Sequence, residues 1–313
     1  MENTRQRKKK KKLRKGRIFF LLILIALIAG AGYVYTEYKS GIKMAEADAP
    51  AKPTLKFDGD PQSNKDIENI LLVGVDSRGE KQSRSDTMML VSWNKDTNDI
   101  KMVSFMRDIF ADIPGYKQYK LNTAYYLGGA DLLKATLKNM FDVEINHVAV
   151  VDFNNFEKIV DVAAPNGVEV TVPHDMSKNI GVHLKKGTQK LNGKELLGFS
   201  RFRYDAEGDF GRVKRQQQAL EALKKEVIKP SNVKNYPKLL GTLQGSVQSD
   251  INKDDQLKML LGAVKGGGVS IEKLTIPVEN SYSFIRDPES GSVIQIDLEK
   301  NLKALNDFLV FEK

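Results

Sequence analysis

Cysteine is absent from all 313 residues. Its absence removes disulfide bracing, thiol nucleophiles and any zinc site that needs thiolates. A domain exported without disulfides must stand on a sizeable apolar core, and the chain is long enough to build one. Histidine is scarce, with only His147, His174 and His183. They form no His-Glu-x-x-His, and the separation of His174 from His183 is not that of a ligand pair, so a histidine metal centre is not expected. Also missing are a Walker loop, Gly-x-Gly-x-x-Gly and Gly-x-Ser-x-Gly, which argues against an NTPase, a Rossmann enzyme and a typical hydrolase nucleophile.

The body of the chain lacks net charge as well. The formal charge of +9 suggests nucleic acid until it is mapped. Residues 1–17 hold ten Lys and Arg against one acid, Glu2, leaving 39 basic and 39 acidic residues in the remainder. The run Lys8–Lys12 lies next to an apolar stretch, so a nucleic-acid arm is the weaker reading and no nucleic-acid partner is expected. Ile18 to Tyr35 follows without a charge. Eighteen residues at 1.5 Å each reach about 27 Å, close to the hydrocarbon thickness of a bilayer. The expected organisation is a basic cytoplasmic tail (1–17), a transmembrane anchor (18–35), an extracytoplasmic linker (36–65) and a globular domain (66–313). The positive-inside rule makes it a single-pass type II protein with the domain outside. A cleaved signal peptide is the rival, because Ala29-Gly30-Ala31 and Ala45-Glu46-Ala47 resemble cleavage sites, but the apolar run is longer than most signal cores.

The linker carries Ala-Pro-Ala-Lys-Pro (49–53) and Asp-Gly-Asp-Pro (58–61), polar and aperiodic. After it, short apolar runs predict strands over 69–75, 88–93 and 100–106, the last two joined by the turn residues 94–99. A meander of these three puts Asp76, Asp86, Arg107 and Asp108 at one edge of the sheet. Helices are expected over 130–141, 155–164, 212–228 (stopped by Pro230), 239–248, 254–264 and 298–308, and strands over 147–153, 168–172 and 273–277. Residues 196–202 read as helix or strand. Mixed strands and helices predict a single α/β/α sandwich with a mixed central sheet, preceded by one transmembrane helix.

Asp76, Arg84 and Asp86, taken singly, are ordinary turn residues or surface ion pairs. Their convergence with Arg107 favours a metal or phosphate role, since guanidinium forks grip phosphate oxygens and carboxylates suit magnesium when phosphates complete its shell. Arg201 and Arg203, if on a strand, face one side, with Phe202 turned into the core. Arg212, Arg215 and Gln216 share one face near the start of a predicted helix, where an anion is favoured. Asp205, Glu207 and Asp209 between the clusters are open to a base, a ligand or no role. Leu132, Leu133, Leu137 and Met140 have the spacing of ordinary helix core.

The runs Ile-Leu-Leu-Val-Gly-Val-Asp-Ser-Arg, Arg-Ser-Asp-Thr-Met and Ser-Phe-Met-Arg-Asp resemble the signatures of the LytR-CpsA-Psr family. So do Lys-Gly-x-Gln-x-Leu-Asn-Gly-Lys-Glu-Leu-Leu (186–197) with its Arg-Phe-Arg, and Arg-x-x-x-Gln-Gln after Gly211. The resemblance covers roughly 69–230. It implies a membrane-anchored phosphotransferase of a Gram-positive envelope that moves an anionic glycopolymer, such as wall teichoic acid or capsule, from a polyprenyl pyrophosphate carrier to a muramic-acid hydroxyl of peptidoglycan. It implies magnesium, or manganese, on Asp76 and Asp86. It places pyrophosphate on Arg84, Arg107, Arg201, Arg203, Arg212 and Gln216, with Arg78 a weaker match, and it implies a lipid pocket for which Leu132, Leu133, Leu137 and Met140 are candidates beside the simpler reading of core. Catalytic roles fall to Asp86, Arg107 and Asp108, with the general base left open. A polyprenyl-pyrophosphate hydrolase and a non-catalytic polymer sensor or attenuator are the alternatives.

Overall fold

The computed structural model describes residues 15–47, 55–76, 83–252, 254–259 and 271–311. The tail before residue 15, the Pro50–Pro53 part of the linker, Arg78 and the second half of the helix expected over 254–264 lie outside them.

In chain order the elements are α1 (Lys15–Glu46), β1 (Ile67–Val75), β2 (Ser85–Asn94), β3 (Ile100–Phe105), β4 (Phe110–Asp112), β5 (Gln118–Lys120) and α2 (Asn122–Phe141). There follow β6 (His147–Asp152), α3 (Phe153–Ala163), β7 (Val168–Val172), β8 (Gly187–Leu191), α4 (Gly193–Arg201) and α5 (Gly208–Val227). A 3-10 turn (Pro230–Asn235), α6 (Tyr236–Ser246), β9 (Val247–Ser249), β10 (Ile271–Ile276), β11 (Tyr282–Asp287), β12 (Gly291–Ile296) and α7 (Leu298–Leu309) complete the chain.

Six strands form the central sheet in the order β10-β3-β2-β1-β6-β9. β1, β2 and β3 make the expected antiparallel meander, while β6 joins β1 and β10 joins β3 in parallel. The sheet is therefore mixed, and the C-terminal ends of β1, β3, β6 and β10 meet the start of β2 at one edge. β1 is apolar at nearly every position because both of its faces are covered. Leu71, Val73 and Val75 turn to one face and pack with Leu133, Leu137 and Phe141 of α2 and Leu305 of α7. Leu72 and Gly74, offset by one in the pleat, turn to the other face, under α3–α6. α5 is stapled to the sheet by Gln217, whose Nε2 donates to Ser104 Oγ at 2.9 Å and Thr275 Oγ1 at 3.2 Å.

Several boundaries differ from the sequence reading. α2 begins eight residues before the expected 130, bending at Gly128 and Gly129, which take non-helical angles. Residues 196–202 resolve as helix, because Asn192 and Glu195 form a reciprocal capping box that starts α4. The alternative left open for Arg201 and Arg203 is thus decided against a strand: Arg201 ends a helix and Phe202 is its extended cap. α5 starts at Gly208, so Arg212 stands one turn in rather than at the first position. The expected helix over 239–248 runs from Tyr236 to Ser246 and gives way to β9. Residues 254–259 are helical as expected.

The segment expected as linker is mostly structured. Residues 36–46 continue α1, and Leu55 and Phe57 pack on the main core. Asp60 accepts from Ile145 N at 3.0 Å and from Lys138 Nζ at 2.9 Å, and these partners hold its carboxyl below the usual range against the opposing effect of burial. α1 and α6 lie side by side in the same direction: Tyr33 Oη donates to Lys234 O at 3.4 Å, Gly41 abuts Lys238 and Thr242, and Ala45 meets Gly245. The approach is so close that a side chain at Gly41 or Gly241 would strike the other helix's backbone. Over Leu22–Glu46, α1 is long and apolar enough to cross a membrane.

Candidate functional site

The sheet edge gathers the charged residues. Asp76 directly follows β1, Asp86 is the second residue of β2, and Arg107 lies two residues past β3. Arg201 closes α4, Arg203 follows its cap, and Arg212 and Gln216 lie one turn apart on α5. These seven line one polar cavity of ≈ 440 Å³. Three residues that sequence reasoning did not assign join them: Phe153 at the start of α3, Asn179 and Tyr204. Asn179 bonds the Tyr204 hydroxyl, which that bond and the nearby Arg203 hold below its ordinary pKa.

Each carboxylate in the cavity holds a guanidinium. Arg201 NH2 stands 3.2 Å from Asp76 Oδ2, and its plane lies 5.0 Å above the Phe153 ring. Arg107 bonds Asp86 and approaches Asp209 Oδ1 at 3.7 Å and Asp108 Oδ2 at 3.6 Å. Burial disfavours its charge, but the carboxylates of Asp209, Asp86 and Asp108 outweigh that and raise Arg107 above its ordinary value. Arg212, whose side chain is 6% exposed, bonds Asp209 Oδ2 at 2.9 Å and lies 3.9 Å from Asp86. Burial, helped by Arg107, lowers its pKa despite those acids. The two arginines are thus forced together and share Asp209, in the first turn of α5, as counter-charge. Among the described residues, the Nε atoms of both are buried without a hydrogen-bond acceptor.

Other candidates lie elsewhere. Arg84 is exposed, its guanidinium 5.8 Å over the Tyr126 ring, and does not line the cavity. Asp108 pairs with Lys120 at 2.8 Å and accepts through its carbonyl from Ile294 N, outside the lining. Arg215, expected on the same face as Arg212, is 4% exposed and ties the turn after α4 to α5. It donates to Phe202 O at 2.7 Å and to Asp205 at 2.7 Å.

A second, apolar cavity of ≈ 320 Å³ adjoins the first and shares Phe153, Arg201 and Gln216 with it. It runs between the sheet and the helices covering its second face. Leu72, Met89, Ala149 and Val151 form its floor, and Ile159, Leu223 and Leu243 belong to the helices above. Gly74 keeps that floor thin, since a Cβ there would stand 2.9 Å from Thr87 Cβ. Leu133 and Leu137, open at sequence level to pocket or core, are fully buried core on the opposite face.

For a metal, the donor set fits magnesium or manganese in one respect: Asp76 and Asp86 offer hard oxygens in the same cavity, and phosphate oxygens and water would have to complete the shell. Among the described residues no group of three or more His, Cys, Asp or Glu is placed to hold a metal ion by itself.

The family model for the LytR_cpsA_psr family matches residues 31–306. The chain belongs to this family. The regulatory protein MsrR of Staphylococcus aureus strain COL is 44% identical over 277 residues, 88% of this chain and 84% of that one. The polyisoprenyl-teichoic acid–peptidoglycan teichoic acid transferase TagU of Bacillus cereus is 36% identical over 259 residues, covering 79% and 83%. Among solved structures, TagT bound to LI-WTA superposes with a TM-score of 0.63 at 27% identity, over 82% of this chain and 96% of that one. The α/β fold with a mixed central sheet and the family named by the motifs are therefore those expected.

Proposed function

We propose that this family member transfers an anionic glycopolymer of the wall teichoic acid type from a polyprenyl pyrophosphate carrier to a muramic-acid hydroxyl of peptidoglycan, on the outer side of a membrane that α1 spans. The observation that carries the reading is the junction of the two cavities. Four arginines line a polar chamber that opens onto an apolar one across Phe153, Arg201 and Gln216. An amphiphile with a pyrophosphate between tail and polymer fits that sequence of surfaces. The TagU and TagT likenesses support the same substrate class.

In this reading Arg107, Arg201, Arg203 and Arg212 bind the pyrophosphate, and Gln216 sits at the head–tail junction. The acceptor hydroxyl attacks the phosphorus that bears the polymer, the new oxygen–phosphorus bond becomes the phosphodiester, and the bridging bond breaks to release polyprenyl phosphate. The attacking oxygen's proton passes to a carboxylate. Asp86 lines the chamber and suits that task better than Asp108, which Lys120 engages outside it. Asp76 and Asp86 would hold a magnesium ion, whose chemistry is to neutralise charge on the phosphate oxygens. Preformed Arg–Asp pairs need little rearrangement as charge develops, and phosphoryl transfer depends mainly on such positioning. No nucleotide is needed, because the pyrophosphate linkage is already activated.

The test is to incubate the full chain in nanodiscs with a polyprenyl-pyrophosphate-linked glycopolymer, magnesium and peptidoglycan oligomers, with and without chelator. Covalent polymer on the glycan, lost in Asp86→Ala and Arg107→Ala, is the expected result. Polymer released without attachment would instead establish the hydrolase. Binding without turnover would favour a sensor, a second reading that the name of the MsrR relative keeps in play.

A further inference from the structure

The charge-free part of α1 ends at Tyr35, and a span of about 27 Å leaves no slack in a hydrocarbon core of about 30 Å. Tyr33 and Tyr35, 50% and 62% exposed, therefore fall at the level of the headgroups, where tyrosines commonly anchor. At that level Tyr33 bonds the carbonyl of Lys234, and α6 rises from there alongside α1. The 3-10 turn between α5 and α6 is thus held where the bilayer surface begins. Its outer residues suit such a surface: Val233 is 47% exposed, Lys229 and Lys234 are exposed beside it, and the acid within reach, Glu226, is buried and paired with Lys229 at 2.6 Å.

An apolar seam links this corner to the apolar cavity. Leu223 and Leu243 line the cavity; Val227 and Leu239 lie one turn further toward the corner on α5 and α6, and all four belong to one cluster with Met44 of α1. From Val227 to Arg212, α5 climbs about 22 Å. A carrier whose pyrophosphate reached Arg212 would have to draw its tail that far from the bilayer, and the cavity and seam would cover it on the way.

We infer that the 3-10 corner Lys229–Lys234 rests on the lipid bilayer and sets the cavity upright above it, so that an isoprenoid tail climbs to the arginines between α5 and α6. The inference rests on the anchored reading of α1. The corner is not a free polar loop but a foot, with Val233 in the interface and its lysines toward anionic headgroups.

The absence of cysteine makes the test clean. Single cysteines replace Val233, Tyr35 or Phe284 in the full chain, each carrying an environment-sensitive nitrobenzoxadiazole. Phe284, 65% exposed on β11, serves as the control, because β12, its hairpin partner, bonds at Asp108 on the opposite edge. The variants are reconstituted in phosphatidylglycerol nanodiscs with doxyl-labelled lipid. Quenching at Tyr35 and Val233, with none at Phe284, is the expected pattern. Quenching at Tyr35 with Val233 matching Phe284 would overturn the foot while leaving the anchor intact. No quenching even at Tyr35 would overturn the anchored reading, and the foot with it. A Lys229→Glu, Lys234→Glu chain carrying the Val233 label should lose at least half of its quenching; unchanged quenching would overturn the role given to the lysines.

Discussion

Filling the apolar cavity should separate tail binding from head binding. Ala149 sits in the cavity floor on β6, and Ala149→Phe places a ring in a space of ≈ 320 Å³. That ring displaces roughly one isoprene unit. Five carbons at about 0.8 kcal/mol each make the loss at most about 4 kcal/mol. At about 1.4 kcal/mol per factor of ten, the ceiling is nearly three orders of magnitude in affinity, and incomplete desolvation of the tail in water brings the expected loss to about 10- to 300-fold. Because the ring enters a cavity rather than packed core, the substitution should shift stability by less than the roughly 1–3 kcal/mol of true overpacking. Calorimetric titration checks this with two ligands, geranylgeranyl pyrophosphate and inorganic pyrophosphate. Wild type should prefer the isoprenoid strongly; Ala149→Phe should lose that preference yet bind inorganic pyrophosphate as before. Undiminished isoprenoid affinity would refute the assignment of the cavity to the tail. An equal loss for both ligands would refute the independence of tail and head sites.

Three other substitutions probe different parts of the molecule. Arg107→Lys keeps a charge but loses the fork that spans Asp86 and Asp209, so polymer transfer should fall about 100- to 1000-fold while thermal stability changes little, checked by initial rates and melting curves. His147 bonds Asp250 at 2.6 Å and Glu68 at 3.1 Å, which together lift it from 6.5 to about 9 against partial burial. Its folded pKa is the higher one, so its stabilisation is complete below pH 6.5 and fades as pH rises through about 9; melting temperature should decline over that window in wild type and less in His147→Gln. Gly241→Val would drive a side chain into the backbone of Tyr38, costing about 1–3 kcal/mol and freeing α1 from α6, which limited proteolysis after residue 46 should report as faster cleavage.

The site was more legible in the sequence than the cavity beside it. Asp76, Asp86 and Arg107 could be brought together from strand ends alone, because the turn chemistry of 94–99 and the short apolar runs leave few ways to arrange a meander. Arg201 and Arg203 were harder, since the apolar spacing of 196–202 suits either period; the deciding signal was Asn192 with Glu195, a capping box immediately upstream of the ambiguous run. Asp209 stood out in the sequence only as one of three loop acids without an assigned role, because its importance lies in standing between two arginines from distant segments. The cavity was illegible for a physical reason. β1 is buried on both faces, so Leu71 against core and Leu72 against a void read identically, and only Gly74 hints at a thinned wall. The linker misled through composition: prolines and acids around 49–61 look aperiodic, yet Leu55, Phe57 and Asp60 each find a fixed partner.

The balance of charge in the chamber explains why its carboxylates do not repel the ligand proposed for it. Four arginines against Asp76 and Asp86 leave two positive charges in the lining, and Asp209 behind Arg107 and Arg212 reduces the total to one. A pyrophosphate diester brings two negative charges and so comes close to neutralising the site. Without Asp76, Asp86 and Asp209 the arginines would repel one another in a half-buried space, and burial already lowers Arg212. The acids hold the guanidiniums apart and oriented until phosphate replaces them as partner, so arginines and aspartates should depend on one another rather than act additively. A double substitution of Arg107 and Asp209 should therefore lose less activity than the two single losses multiplied. Strict multiplicativity in a double-mutant cycle would mean that Asp209 has no hold on Arg107.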